Sequence, residues 1–416
     1  MHRKFTQIER RMAEKGFFKF LFLRTRQKLD GIVAAITRKI ISLKTPVQKN
    51  KVVFMHFNNS YSCNPAYICD EILRQGLPWE LVYVSDKKRM NKLPRQYPEG
   101  VKIVRRNSLE HFYEMASAKI WVDNAVCFPW EYLPKKKDQI YINTWHGSMG
   151  LKRIDANKIK SSKWAKAAKK VNKITDFMIS NSKFETEVYR STYWPNPKIQ
   201  VLEYGHPRND ILFSDEEQRH EIKKKICDFY EVDEDTKFIL YAPTFRDDKG
   251  NLDCYNIDYN RIIAAAEKRF GGKWKVINRF HFKVAAALKK MPLIRDNPDI
   301  LNGNDFNDIQ QLMLVSDMGI TDYSSWICDF VLTGKPGFIY ATDLNDYNDE
   351  RGFYYPLEST PFAIATNNDE MENNILTFDE NIYNKKKEQF LSDRGCAEHG
   401  NAAYKVVELM KKYINE

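Results

Sequence analysis

The sequence predicts an α/β chain of two Rossmann-like domains facing a cleft, preceded by an amphipathic helical segment. Three observations carry this. Short β-rich runs alternate with helical stretches, the pattern of parallel sheet built from strand–helix–strand units. That rhythm breaks in the charged stretch 214–235 and then restarts. A length of 416 residues exceeds what one ordinary core holds, so two domains are expected. The divisions read from the sequence are 1–48 for the helical segment, 49–213 for the first domain and 214–416 for the second.

Residues 1–45 read as helical. Phe17, Phe18, Phe20, Leu21, Phe22 and Leu23 form an apolar cluster, broken by Lys19 and flanked by Arg24 and Arg26. The cluster is shorter than the roughly 20 apolar residues a bilayer crossing needs, and no small-residue cleavage site follows it. Aromatics beside Lys/Arg suit a helix lying in a membrane interface. A helix packed on the body with solvated basic residues suits them equally. Thr45-Pro46 ends the segment. Strands are then expected at 52–57, 81–84, 101–104 and 119–123, with helices at 66–74 and 108–118. A strand at 139–144 delivers Trp145-His146-Gly147-Ser148 to its carboxyl end, where α/β proteins place working side chains. Gly147 lets the backbone come close to a ligand; a buried histidine in a plain turn is the other reading.

Next, Lys163, Lys166, Lys169/Lys170 and Lys173 recur at helical spacing on one face, with Trp164, Ala167, Ala168 and Val171 on another. A strand at 176–180 leads to Asn181-Ser182 as a helix cap. A strand at 198–203 runs into Gly205-His206-Pro207-Arg208-Asn209-Asp210. In the second half, strands are expected at 237–242, 274–278, 318–321 and 337–340, with helices at 259–270, 308–314 and 326–332. Their carboxyl ends lead into Pro243-Thr244-Phe245-Arg246-Asp247-Asp248, Arg279-Phe280-His281 and Asp322-Tyr323-Ser324-Ser325.

Composition and charge narrow the function classes. Hydrophobic residues make up 43% and aromatics 13%, which excludes a disordered chain. Seven cysteines with no Cys-x-x-Cys pair argue against a zinc site and a secreted disulfide framework, and so for the cytoplasm. Residues 1–50 carry thirteen Lys/Arg and three acids, and residues 151–175 carry nine and one. The overall +11 therefore sits in two patches on a mildly acidic body. This favours a basic face toward an anionic partner, phosphate or an anionic membrane surface, over a nucleic-acid coat. Lys163, Lys166 and Lys170 are the candidates for that contact.

The second-half loops carry phosphate-type chemistry. Asp322, Ser324 or Ser325 caps a helix whose free N–H groups can hold a phosphate, or does nothing more than cap it. Arg279 supplies a fork for phosphate, or makes a surface ion pair. His281 can donate a hydrogen bond or a proton. Arg246 faces phosphate or pairs locally with Asp247 and Asp248.

Taken in order, Trp145-His146-Gly147-Ser148 with Leu151-Lys152, Gly205 to Asp210, Pro243 to Asp247, Arg279-Phe280-His281, Thr321 to Ser325 with Asp329-Phe330, Gly334-Lys335-Pro336 and Arg351 to Tyr354 resemble the CDP-glycerol glycerophosphotransferases, the teichoic acid primases and polymerases. The resemblance covers about residues 50–400. It departs at Ser148-Met149, where the family usually has Thr-Pro, and at Phe282, where it usually has Pro. The long extra N-terminal region of the larger polymerases is missing, so the chain looks like the shorter members.

The resemblance implies a GT-B-like fold, with CDP-glycerol in the second domain and a membrane-linked glycan or polyol-phosphate acceptor at the first. It implies His146 as general base, with His281 as the second catalytic histidine. Gly147, Ser148, Arg208, Thr244, Arg246, Arg279, Asp322, Ser324 and Ser325 would line the substrates. No metal and no other cofactor is expected. The enzyme would be cytoplasmic, held on the inner face of the membrane. Competing readings are a CDP-ribitol-dependent transferase, a nucleotide-sugar glycosyltransferase of the same fold, and a non-enzymatic basic binding module.

Overall fold

A computed structural model describes residues 17–58, 60–86, 97–125, 133–151, 153, 163–192, 194–244, 255–280, 296–344 and 352–414, without the side chains of 17–30 and 163–166. Two wholly parallel sheets organise it. The first holds β1 (Gln48–Met55), β2 (Glu80–Ser85), β3 (Val101–Arg105), β4 (Ala118–Asp123), β5 (Ile140–Asn143), β6 (Phe177–Ser180) and β7 (Gln200–Glu203), in the order 3-2-1-4-5-6-7. The second holds β8 (Lys237–Tyr241), β9 (Trp274–Asn278), β10 (Ile300–Asn302), β11 (Met318–Thr321), β12 (Gly337–Tyr340) and β13 (Ala363–Ala365), in the order 10-9-8-11-12-13.

The strands are apolar on both faces because helices cover both faces. Successive side chains alternate between the two covers. Val52 and Phe54 enter one core of the first lobe, and Val53 enters the other. Leu240 and Ile277 face one core of the second lobe, and Ile239, Tyr241 and Val276 face the other.

The order of each sheet fixes where a ligand can lie. The first sheet grows outward from β1 to β3 and then reverses with β4, so its topological switch point lies between β1 and β4. The second sheet reverses between β8 and β11. Ligands of open α/β sheets lie beyond the strand carboxyl ends at such reversals.

The expected helix at 1–45 is present as Phe17–Lys44 over the described residues. Its Arg38 lies over the Phe112 ring at 5.3 Å, and Ser42 donates to the Pro134 carbonyl at 2.9 Å. Two strands escaped the sequence reading, β10 and β13. Both have three residues and both are sheet edges, so neither offers a readable alternation. The final helix, Ala402–Ile414, crosses back: Val406, Val407, Met410 and Ile414 complete a core of the first lobe beside Ile68 and Ile72. Asp210 holds its start, accepting from Ala402 N at 2.9 Å and Ala403 N at 2.7 Å.

Candidate active site

β5 ends at Asn143, and the chain turns sharply over the next three residues. Asn143 Oδ1 accepts from Trp145 N at 2.9 Å, and Trp145 takes a left-handed φ of +48°. Few non-glycine residues stay there unless their surroundings fix them. The fixing is visible. Asn64 Nδ2 donates to the carbonyls of Thr144 and Trp145 at 3.3 and 3.2 Å, and the indole of Trp145 packs on Trp194. The turn projects His146 at the carboxyl end of the first sheet, half-buried, with its ring stacked on Phe57 at 4.5 Å.

His146 Nδ1 lies 2.6 Å from the Asn124 carbonyl, at the end of β4. A carbonyl only accepts, so Nδ1 carries the proton and Nε2 is left basic. Burial lowers the His146 pKa to about 4; the Asn124 bond works the other way, and Arg208 and His206 depress it further. The imidazole is therefore neutral at physiological pH. Phe57 N donates to Asn124 Oδ1 at 3.0 Å, tying β1 to β4 across the switch point.

The chain after His146 leaves the first lobe. Ser148 stays behind, accepting from Asn181 Nδ2 at 3.0 Å. Met149 and Leu151 enter the second lobe's core beside Tyr323 and Ile327. Tyr354 N donates to the Leu151 carbonyl at 3.0 Å, and Arg153 N to the Gly352 carbonyl at 3.1 Å. His146 thus stands three residues from a segment packed with the Asp322–Ser325 turn. A crevice beneath it is lined by Trp145, Gly147, Ser148, Phe184, Glu185 and Tyr354.

In the second lobe, Asp322 sits at the β8/β11 reversal. Its Oδ1 accepts from Thr244 N at 2.7 Å and from Tyr323 N, locking the two loops together. Ser324 and Ser325 follow, half-buried. Ser325 flanks the Trp326–Phe330 helix without a side-chain capping bond, so the expected serine cap is not what starts that helix. Trp326 Nε1 instead anchors it to the Ala242 carbonyl at 2.7 Å.

Two arginines expected to line the substrates, Arg279 as a fork for phosphate, make their described bonds to protein groups. Arg208 is 3% exposed. Its Nε and Nη2 donate to Asp329 Oδ2 at 3.2 and 2.9 Å, and Nη2 also donates to the Gly147 carbonyl. Burial opposes its charge, but the Asp329 carboxylate more than offsets this and raises the guanidinium pKa. Arg208 is thus a tie between lobes that also holds the Gly147 carbonyl, next to His146. Arg279 gives Nη1 to the Gly303 carbonyl at 2.5 Å and to the Phe306 carbonyl, and Nη2 to the Asn307 carbonyl at 3.0 Å. It shapes the 303–307 loop, whose end reaches the first lobe. There Asn307 Nδ2 donates to the Tyr61 carbonyl, and Tyr67 donates to Asp308 Oδ2, each at 2.9 Å.

Arg246 and His281 lie outside the described residues. The lysine helix is present as Lys163–Ile174, with Ala167, Ala168 and Val171 buried and Lys170 exposed. The side chains of Lys163 and Lys166 lie outside the description.

Sequence reasoning also missed a buried ionic junction. His206, Asp329 and Glu398 bring ligand-type atoms within 4.8 Å of one another. Asn209 Nδ2 donates to Asp329 Oδ1 at 2.9 Å and to Glu398 Oε1 at 2.8 Å, and His206 N donates to Glu398 Oε2 at 3.1 Å. The carboxylate oxygens are spent on these donors and on Arg208. The arrangement is a polar weld between lobes rather than an open metal cage. Gly205 makes it possible: a Cβ there would fall 2.8 Å from Glu398 Oε2. His56, at the end of β1, was also passed over, although it occupies the same kind of strand-end position as His146.

Two doubly wound lobes joined at their switch points define the GT-B-like class of folds. Within that class, the chain belongs to the CDP-glycerol:poly(glycerophosphate) glycerophosphotransferase family, which matches residues 37–412. It is 32% identical, over 97% of its length, to the teichoic acid poly(glycerol phosphate) polymerase of Staphylococcus epidermidis, of which it spans 57%. The corresponding Bacillus subtilis protein is 31% identical and spanned to 42%. The chain thus spans about half the length of these two relatives. The teichoic acid glycerol-phosphate transferase of Staphylococcus aureus is 29% identical, and 96% of it is spanned. A solved structure of the wall teichoic acid polymerase TagF superposes with a TM-score of 0.78 at 28% identity, covering 95% of this chain and 98% of that one. Another, soaked with CDPG, gives 0.77. A UDP-GlcNAc 2-epimerase from Neisseria meningitidis, 13% identical with a TM-score of 0.52, shares the fold alone.

Proposed function

We propose that the protein transfers glycerol phosphate from CDP-glycerol to a hydroxyl of a membrane-linked acceptor and releases CMP, in the synthesis of teichoic acid or a related surface polymer. The observation that carries this is the state of His146. It is a neutral imidazole whose Nδ1–H is held by the Asn124 carbonyl, at the seam of two nucleotide-type lobes. Only Nε2 can take a proton, so the group is set as a general base.

The acceptor oxygen attacks the β-phosphorus of CDP-glycerol as its proton passes to His146 Nε2. The bond from that phosphorus to the bridging oxygen breaks, CMP leaves, and a phosphodiester forms. The donor lies at the β8/β11 reversal, against the loops that Asp322 locks together, with Ser324 and Ser325 toward it. An incoming diphosphate is anionic and raises the His146 pKa from its low resting value, which improves the base where it is needed.

The first helix supports membrane attachment. Ile32, Val33, Ile36, Ile40 and Leu43 are 47–75% exposed. Their spacing places them on one face, opposite Arg38, Ile41 and Ser42, which pack on the body. An exposed apolar row on a basic helix suits the interface of an anionic bilayer. Among the described residues no helix is long and apolar enough to cross a membrane.

The test is nucleotide release from CDP-glycerol, CDP-ribitol and UDP-sugars with lipid-linked acceptors. CMP release from CDP-glycerol alone supports the proposal. CMP release only from CDP-ribitol moves it to the ribitol branch, and UMP release overturns it.

A further inference from the structure

His56 ends the β1 run at the switch point of the first sheet, 5% exposed. Its Nδ1 accepts from Asn58 N at 3.1 Å, and the Ser60 N–H and hydroxyl lie at 3.5 and 3.3 Å. An imidazole nitrogen that accepts from backbone amides carries no proton, so the proton of the neutral ring is on Nε2. That Nε2 is buried and has no hydrogen-bond partner among the described residues. Burial above all, with proximity to His146 and Arg106 acting in the same direction, lowers the ring's pKa to about 3, so it remains a neutral N–H donor.

A buried donor left unpaired is costly, and native structures rarely keep one without a reason. The neighbours supply the reason. His56 packs at a tilt against Phe57, ring centroids 4.4 Å apart, and Phe57 stacks on His146 at 4.5 Å. A second imidazole repeats the pattern: His111 Nδ1 accepts from Asn107 N at 3.1 Å, and its buried Nε2 has no partner among the described residues. Arg106 is near enough to depress both rings. His56, the donor next to Phe57 and the base, thus has an arginine in electrostatic reach, a pairing that suits an anionic, oxygen-rich ligand.

Resting on the function proposed above, we infer that His56 Nε2–H is a binding group for the acceptor. It would donate to an oxygen of the polyol-phosphate unit that ends the growing chain, adjacent to the hydroxyl presented to His146. His56 would thus be the group of the first lobe that reads the phosphate of the acceptor end.

Three measurements decide this, with a soluble glycerol phosphate oligomer and a neutral disaccharide as probes. His56→Asn keeps an acceptor near the Nδ1 position and removes the far donor, whereas His56→Gln returns an N–H near the Nε2 position. Calorimetry is expected to show oligomer affinity lower by about 10-fold or more in His56→Asn, the scale of one hydrogen bond to a charged group. His56→Gln is expected to recover part of it, and the KM for CDP-glycerol to stay unchanged in both. The third measurement uses the unaltered protein, in case His56→Asn melts early. In 15N-histidine spectra the His56 Nε2–H signal is expected to move downfield and exchange more slowly on adding oligomer, and not on adding disaccharide.

Wild-type turnover of CDP-glycerol with equal oligomer binding by His56→Asn, or an unmoved ring signal, overturns this inference and leaves the function standing. Disaccharide binding that alone depends on His56 overturns the phosphate assignment. No nucleotide release and no oligomer binding by the wild type overturns both.

Discussion

Replacing Arg208 by methionine removes the guanidinium that joins the lobes and keeps most of its apolar stem. Asp329 Oδ2 then loses donors at 3.2 and 2.9 Å, and the Gly147 carbonyl loses one as well. Asp329 is 2% exposed, so bulk water does not replace them. Stripping one partner from a buried ion pair costs about 3–5 kcal/mol, because the other charge is stranded in low dielectric. Asn209 still donates to Asp329 Oδ1 at 2.9 Å, which places the expectation near the lower end. A loss of about 3 kcal/mol lowers the melting midpoint by roughly 6–12 °C in lobes of this size. Scanning fluorimetry reads that directly. Adding Asp329→Asn removes the stranded charge and is expected to recover at least half of the loss. CDP-glycerol affinity, measured well below the melting range, is expected to hold. A single variant that melts with the wild type, or a double variant no more stable than the single, refutes the tie. Lost donor affinity without thermal loss would give Arg208 a direct part in substrate binding.

Three other outcomes are expected. His146→Ala lowers CMP release by about 10²-fold or more with its circular dichroism and melting intact; near-normal release contradicts the base assignment. Because the resting pKa is about 4 and not 6.5, the acid limb of kcat/KM, which reports free enzyme, lies below pH 5. Protonation at low pH also opposes folding, since the unfolded ring binds protons more readily between those two values, so stability rises with pH through that window. Arg279→Ala lowers stability and donor affinity together, because three backbone carbonyls of the 303–307 loop lose their donor. Weakened binding with unchanged melting would restore direct phosphate contact. Ile36→Asp with Ile40→Asp reduces sedimentation with phosphatidylglycerol vesicles and spares turnover of a soluble acceptor; undiminished sedimentation rules out that face of the helix.

Much of the fold was legible because the strands are buried on both faces and read as apolar runs between helical patterns. The spans 259–270, 274–278, 318–321 and 337–340 coincide with the observed elements for that reason. What was not legible depends on distance along the chain. Nothing near Glu398 announces that its carboxylate meets His206 and Asn209, nearly two hundred residues earlier. Arginine in a phosphate-rich motif reads as a phosphate ligand, yet Arg208 and Arg279 find carboxylate and carbonyl partners that only the folded chain supplies. The place of His146 in the fold was legible because it stands three residues past the end of a strand. His56 follows one too, but its distinction is an unpaired nitrogen, which composition and spacing do not encode.

The return of the Ala402–Ile414 helix to the first lobe has a bearing on biosynthesis. A ribosome releases residues 48–203, and with them every strand of the first sheet, long before it makes Val406, Val407 and Met410. The emerging first lobe must hold an uncovered apolar groove while the second lobe is still being translated. Arrested nascent chains ending before residue 402 are expected to be protease-sensitive in β1–β7 and to gain resistance once the last helix is out. Which lobe matures first would then be set by the order of translation and by a single returning helix.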